Sequence, residues 1–537
     1  MRDIDVAPLP LSHLESHLDE VAIKRLHTSL TGAEALLEGR TVWTVTPSAA
    51  AGSGPAETVA PLVGYSLGAG LNVRWLTLDA PEEFTRIAAR LHAGIHGDHG
   101  DGGKLGDKQR DIYEHVLASN AENIVEEVRP DDVVILHDPP TAGLAKALKA
   151  AGATVIWRCH AGAEGAGEAA DYAWAFLDRY LEDVDLVIVS RPEYRPPYIE
   201  AERCAVLAPS IDADSPKNRV LDLDEAWSVA RLSGIFAGEP PFEAVPFMRH
   251  DGRADAFRGL ADDPVLAGSP VPLGARVVTQ VNRWDRLKGG LELVEAFAEN
   301  ITVLPEDAHL LLVGPTPDGP ESQATLTQIV EHCSVLPESV ASRIHVAAVS
   351  MEDREVNATV VNAVQRVSSV VTQRSLIEAF GLTVAEAMWK KAPVVASAVG
   401  GIRDQIDDGV DGVLVDPADG RRRKVHALIF TAVVSRHMFV WLTYSQTLTA
   451  VIAGCEAAWG LLRWRVQGPG PGQPQAGRDR RRRGQPAPVH RLAGLRPARR
   501  VRHRPREGPL AQGQTQGRAG GAVRARQLLG RGALQRP

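Results

Sequence analysis

Cysteine is scarce: Cys159, Cys204, Cys333 and Cys455 are the four in 537 residues, and no two form a C-x-x-C pair. Neither a disulfide framework nor a thiolate zinc site is signalled, and a reducing compartment is the expected setting. The start, MRDIDVAPLPLSHLE, lacks a basic stretch followed by an apolar run, so no secretory leader is read and the cytoplasm is the default. Long apolar runs are also wanting. The stretch 438–455 (MFVWLTYSQTLTAVIAGC) has 18 uncharged residues, but Thr443, Ser445, Gln446, Thr447 and Thr449 make it a poor membrane span. Aromatics amount to 5%, yet 44% of the chain is hydrophobic. That excludes a disordered polymer and leaves room for two to four domains at roughly 100–200 residues each.

Basic charge is thin over most of the chain and crowded at its end. Residues 1–420 hold 35 Lys and Arg against 64 Asp and Glu, whereas residues 421–537 hold 24 against 3. So acidic a body is unsuited to nucleic acid, whose phosphates demand clustered cations. From Gln467 onward Arg, Gly, Pro, Gln and Ala dominate without apolar periodicity. This basic tail reads as disordered, or as the product of translating a GC-rich gene in the wrong frame; an arginine-rich arm for a polyanion is the functional alternative.

Within the body, short β-branched runs alternate with segments of helical spacing. Strands are expected at 41–46, 72–77, 132–136, 154–158 and 185–190, then at 276–281, 309–314, 343–347, 368–372, 393–397 and 412–415. Two such series predict an α/β protein of two doubly wound, Rossmann-like domains facing across a cleft, with an irregular C-terminal tail. Residues 1–272 form the expected first domain, ending in a linker region of helices and loops over 213–272 where no strand is read. Residues 273–420 form the second, and 421–537 the tail.

Ligands of such sheets gather at strand C-terminal ends. Gly52, Ser53 and Gly54 follow the first strand and open a helix, where backbone amides can meet an anion or a sugar hydroxyl, or simply make a tight turn. His137-Asp138 and His160 each follow a strand; they either read sugar hydroxyls or serve packing. Arg283 and Lys288 lie just past the strand 276–281, as two cations suited to a diphosphate or as part of a solvated loop. In EAFGLTVAE, Glu378 and Glu386 flank a helix start near Leu382. Glu386 could accept both hydroxyls of a ribose, and the amides of Gly381, Leu382 and Thr383 could face phosphates or a hexose; the two carboxylates could instead be a hydrolase acid and base. Asp183-Val-Asp185 and Asp212-Ala-Asp214 are not read as metal sites, so no metal is expected.

HDPP at 137–140, WRCH at 157–160, SRPEY at 190–194, APSID at 208–212, the Arg283/Lys288 loop, and E-x7-E from Glu378 to Glu386 followed by VVASAVGGI at 394–402 stand together in one chain. In this combination the sequence resembles retaining GT-B glycosyltransferases, and among them the trehalose synthase group with its related trehalose phosphorylases, over roughly residues 35–420. The resemblance implies a hexosyltransferase joining nucleotide-activated glucose, UDP- or ADP-glucose, to glucose to form trehalose. A trehalose phosphorylase, or a sugar-nucleotide binder without turnover, are the alternatives. It further implies that Arg283 and Lys288 hold the donor diphosphate, Glu386 the ribose, and Glu378 with the Gly381-Leu382 backbone the donor glucose. His160 would face that glucose from the other domain, Gly52-Ser53-Gly54 and Asp138 would border the acceptor, and the backbone near His345 and Val346 would meet the base. No resident cofactor, no nucleic acid and no membrane is implied; a homodimer is one admissible assembly. The chain departs from the group's pattern at Ile377, where Arg is common, at Ala379, where Gly is usual, and at Lys391-Ala392, in place of Gly-Lys.

Overall fold

The computed structural model describes residues 1–49, 54–165, 167–249, 252–417, 426–431 and 438–443. The first sheet comprises β1 (Arg2–Ile4), β2 (Val42–Thr46), β3 (Val73–Thr77), β4 (Val133–His137), β5 (Thr154–Cys159), β6 (Leu186–Val189) and β7 (Cys204–Val206), in the order β1-β3-β2-β4-β5-β6-β7. After it, β8 (Val245–Met248) and β9 (Ala254–Phe257) pair as an antiparallel hairpin. The second sheet comprises β10 (Val265–Ala267), β11 (Arg276–Val281), β12 (Ala308–Pro315), β13 (Ile344–Val349), β14 (Val370–Gln373), β15 (Val394–Ser397) and β16 (Val413–Val415), in the order β10-β13-β12-β11-β14-β15-β16. In each sheet only the edge strand β1 or β10 runs antiparallel to its neighbour.

Burial explains why these runs are strands. Leu310, Leu311, Leu312 and Val313 in β12 are all fully buried, as are Val45, Leu136, Val155 and Val187 in the first sheet. Side chains at both parities need cover, so helices must lie on both faces of a parallel sheet. In each sheet the chain winds one way, then crosses back to the other side of its starting strand: between β2 and β4 in the first, between β11 and β14 in the second. Loops leaving such neighbours in opposite directions open a crevice at their carboxyl ends.

The linker reading needs correction. The stretch 213–272 contains β8, β9 and β10, and its apolar residues share a core with the second domain. Ala226, Val229 and Ala230 line one face of the helix Leu223–Leu232 and share a core with Phe247, Phe257, Val277, Leu311 and Val360. β8 escaped notice because Pro246 interrupts it, which an edge position tolerates. A second correction concerns the tail, where β17 (His426–Thr431) and β18 (Met438–Thr443) form an antiparallel pair. HALIFT and MFVWLT are rich in β-branched and aromatic residues, a local signal masked by the surrounding arginines. Residues 444–537, with the rest of the uncharged run and the arginine-rich text, lie outside the described residues. Among the described residues no helix is long and apolar enough to cross a membrane.

Candidate functional site

The carboxyl edge of the first sheet brings His137, Asp138 and His160 together. His137 ends β4 and its Nδ1 lies 3.0 Å from His160 Nε2, with the two rings stacked. Asp138 follows with φ 64° and ψ 168°, a conformation nearly confined to glycine. It is held there by its own bonds: its Oδ1 accepts the His160 backbone N–H at 2.7 Å, and its carbonyl accepts Trp157 Nε1–H at 3.0 Å. Burial pushes the Asp138 carboxyl up to about 7 and the His160 imidazole down to about 3, so this edge presents neutral imidazoles at physiological pH. Of the three residues Gly52-Ser53-Gly54, Gly54 opens the helix Gly54–Gly68, whereas Gly52 and Ser53 lie outside the described residues.

The raised Asp138 pKa has a signed consequence. A folded value near 7 against roughly 3.9 in the unfolded chain means that the folded state binds more protons across that window, so stability falls as pH rises through it. Asp138→Asn keeps the shape and the acceptor oxygen but not the titration. Its Tm advantage over wild type is expected to widen between pH 4.5 and about 7 and to level off above that; a difference that stays constant from pH 4.5 to 7 would reject the assignment.

On the second sheet the loops after β11 and β14 are tied to each other. Gln280, fully buried in β11, donates from Nε2 to the Lys288 carbonyl at 3.0 Å and accepts the Arg374 backbone N–H at 2.8 Å. Lys288 Nζ then reaches Glu378 Oε2 at 2.7 Å, and Ser375 Oγ donates to the same oxygen at 2.9 Å. Burial alone would raise the Glu378 carboxyl; the Lys288 charge, with the Lys288 and Ser375 hydrogen bonds, outweighs it and leaves the group below its ordinary range. Arg283 stands exposed beside them, without an ion pair among the described residues. The helix Leu382–Trp389 starts after Gly381 at φ 89°. The N–H groups of Gly381, Leu382 and Thr383 find no backbone acceptor, which leaves a helix N-terminus ready for an anion.

Glu386 lies one turn into that helix and is buried. Its Oε1 pairs with Lys217 Nζ at 3.0 Å, while Oε2 is buried with no hydrogen-bond partner. Lys390, one turn further, donates to Asn218 Oδ1 at 2.9 Å, and burial pulls its ammonium down to about 7. The next residue, Lys391, holds φ 61° at the place where the resemblance leads one to expect glycine, the left-handed step that ends a helix.

His345 and Val346 require correction. They are the second and third residues of β13, about 10–13 Å of extended strand short of its carboxyl end. His345 is buried between His309, at 2.9 Å, and the Ser269 carbonyl, at 2.6 Å, and Val346 belongs to the core. The expectation failed because an apolar run does not tell which of its residues lies near the ligand edge. Three of the four D-x-D carboxylates have partners in the structure: Asp185 pairs with Lys149, Asp212 accepts the Tyr65 hydroxyl and Asp214 pairs with His17. Among the described residues no group of three His, Cys, Asp or Glu could hold a metal ion.

Besides Gln280, Ser375 and Lys390, four further residues were not singled out from the sequence. Lys217 and Asn218 come from the linker to Glu386 and Lys390. His92 and His96 lie one turn apart at the end of the helix Glu82–Ile95, their rings 4.7 Å apart, with His96 Nδ1 3.1 Å from the Gly162 carbonyl. Burial lowers both imidazoles, and His92 feels the charges of Arg283 and Lys288 across the cleft. An i, i+4 histidine pair on an amphipathic helix was the available signal.

Residues 45–196 match the family described as trehalose synthase, N-terminal domain, and residues 275–429 match glycosyl transferases group 1. The trehalose synthase of Pyrococcus horikoshii is 31% identical over 392 residues, which is 72% of this chain and 81% of that protein. That of Rubrobacter xylanophilus is 30% identical over 377 residues, 68% of this chain and 76% of that protein. Among solved structures, the N-terminal domain of Candida albicans trehalose-6-phosphate phosphatase superposes with a TM-score of 0.50 at 14% identity, covering 71% of this chain and 87% of that one. At that identity the likeness concerns the fold alone.

Proposed function

This chain belongs to the trehalose synthase family of GT-B glycosyltransferases, and we propose that it moves glucose, with retention, from UDP- or ADP-glucose to glucose, forming trehalose. It is a hexosyltransferase of trehalose metabolism. The observation that carries the finer reading is Glu386: a buried carboxylate, one turn behind a helix N-terminus, with one oxygen lacking any donor. A ribose hydroxyl would supply that donor, and would place the diphosphate over the unbonded amides of Gly381 and Leu382, beside Arg283 and Lys288. Glu378, held anionic by Lys288, and His160 from the first sheet would then flank the donor hexose.

In this arrangement the chemistry is positioning and charge stabilisation. The C1–O bond of the donor breaks with its electron pair passing to the diphosphate, whose growing charge Arg283, Lys288 and the helix amides stabilise. The acceptor oxygen bonds to C1 on the same face, and its proton goes to the departing phosphate oxygen. No resident cofactor enters this scheme.

The reverse reaction tests it. Incubating the chain with trehalose plus UDP, ADP or inorganic phosphate in separate tubes is expected to yield nucleotide-glucose with one of the two nucleotides, identified by mass spectrometry. Glucose 1-phosphate in the phosphate tube would replace this reading with a phosphorylase, and no product in any tube would reject both. Arg283→Ala is expected to lower kcat/KM for the donor by about 10- to 100-fold, the worth of a charged hydrogen bond; near-wild-type turnover would refute its role.

A further inference from the structure

SRPEY, Ala379 and the paired glycines of VVASAVGGI take no part in the transfer scheme, yet they meet at one point between the two sheets. Tyr194 is buried in the core of the first domain, with its ring so close to Gly162 that a Cβ there would lie 2.3 Å away. Its hydroxyl points out of that core and across the domain boundary, 3.0 Å from the Ala379 carbonyl and 3.3 Å from that of Glu378. Gly401 N–H donates to the same Ala379 carbonyl at 3.2 Å, and the Ala379 methyl packs against the first domain's core. Gly400 passes beneath, where a Cβ would lie 1.7 Å from the Glu378 carbonyl and 2.7 Å from the Tyr194 oxygen. Beside this contact, Arg191 is buried and grips Asp404 of the second domain through Nε at 2.6 Å and Nη2 at 3.2 Å. Its other amino group pairs with Glu164, whose second oxygen bonds Arg403 at 2.8 Å.

We propose that Tyr194 is a positioning residue for transfer: by hydrogen-bonding the backbone at Glu378-Ala379 from the opposite domain, it sets the donor-glucose loop in its working geometry only when the domains touch. The Arg191-Asp404 contact aligns the two surfaces. The physical reason lies in what the carbonyls control. The peptides at 378 and 379 orient the Glu378 carboxylate, so a hydroxyl whose one proton is shared between their carbonyls holds that side chain toward the donor hexose. The Glu386 end of the site belongs wholly to the second domain and the linker, so nucleotide binding does not need this contact. In place of the usual glycine, the Ala379 methyl gives the loop an apolar anchor on the first domain.

This inference rests on the transferase reading for its kinetic arm only. Tyr194→Phe keeps the ring in its pocket and deletes the hydroxyl. It is expected to lower kcat about tenfold, the worth of one buried hydrogen bond, while leaving the Kd for UDP or ADP unchanged. Hydrogen exchange at the Gly401 amide, which donates to the Ala379 carbonyl, should quicken by a similar factor, with β2 to β6 unaffected. Asp404→Ala, which removes a half-exposed carboxylate, should act in the same direction more weakly. Unchanged exchange at Gly401, exchange quickened equally through the first sheet, or faster local exchange with wild-type kcat would each overturn the proposal. Should the wild-type chain prove inactive in transfer, the transferase reading falls and the exchange arm alone decides this one.

Discussion

Lys288→Met is expected to lower turnover about a thousandfold, the upper range for removing a group that stabilises transition-state charge. Two losses combine. In the proposed transfer the leaving diphosphate loses a cation, and Glu378 is left as a buried carboxylate without its partner, 2.7 Å away in the wild type. Breaking one side of such a pair costs about 3 kcal/mol of stability. The variant also carries a pH signature. In the wild type Glu378 sits below its ordinary value, so its contribution is complete above about pH 4.3 and disappears only as pH falls further. Without Lys288, burial dominates and the carboxyl rises. The folded variant then takes up protons that the unfolded chain does not, so its stability should decline as pH rises from 5 to 8. Thermal unfolding at both pH values, beside kcat, checks this; a variant with wild-type pH dependence would show that Lys288 does not hold Glu378 ionised.

Gly400→Ala is expected to abolish measurable transfer, a loss of about a hundredfold or more, although residue 400 touches no substrate in the scheme above. A Cβ there would sit 1.7 Å from the Glu378 carbonyl oxygen, a backbone atom that cannot rotate away, and φ of 47° adds strain of about 1–2 kcal/mol for any L side chain. Relief requires the donor loop to lift off Tyr194, which misplaces Glu378. Gly409 provides the control. Its φ of 76° is equally unfavourable to alanine, but nothing lies within 4 Å of its Cβ position. Gly409→Ala should therefore lose stability by about 1 kcal/mol and keep its turnover. Equal activity loss in both variants would assign the effect to general destabilisation.

The internal strands of both sheets were legible because parallel strands covered on two faces become near-continuous β-branched runs, as in HLLLVG and DVVIL. Of the three-residue edge strands, β16 was legible as the apolar run VLV after Gly412, whereas β1, β7 and β10 were not, since so short a run carries little periodicity. Arg283, Lys288, Glu378 and Glu386 could be singled out as candidates because a loop after a strand and a carboxylate after a helix start are local patterns. His345 was misplaced for the converse reason. Its surroundings depend on β10 and on His309, neither of which lies near it along the chain.

Alternation of strands and helices, read from the sequence alone, determined two doubly wound domains and put the candidate residues at their carboxyl edges, because backbone direction and side-chain period are set within a few residues. Which side chains meet was decided only by the tertiary structure. Lys217 reaches Glu386 from a linker that packs on the second domain, and Tyr194 reaches the Glu378-Ala379 backbone across the domain boundary. Neither pairing follows from spacing, since each depends on how separate elements bury their apolar faces against one another, and that balance belongs to the whole chain.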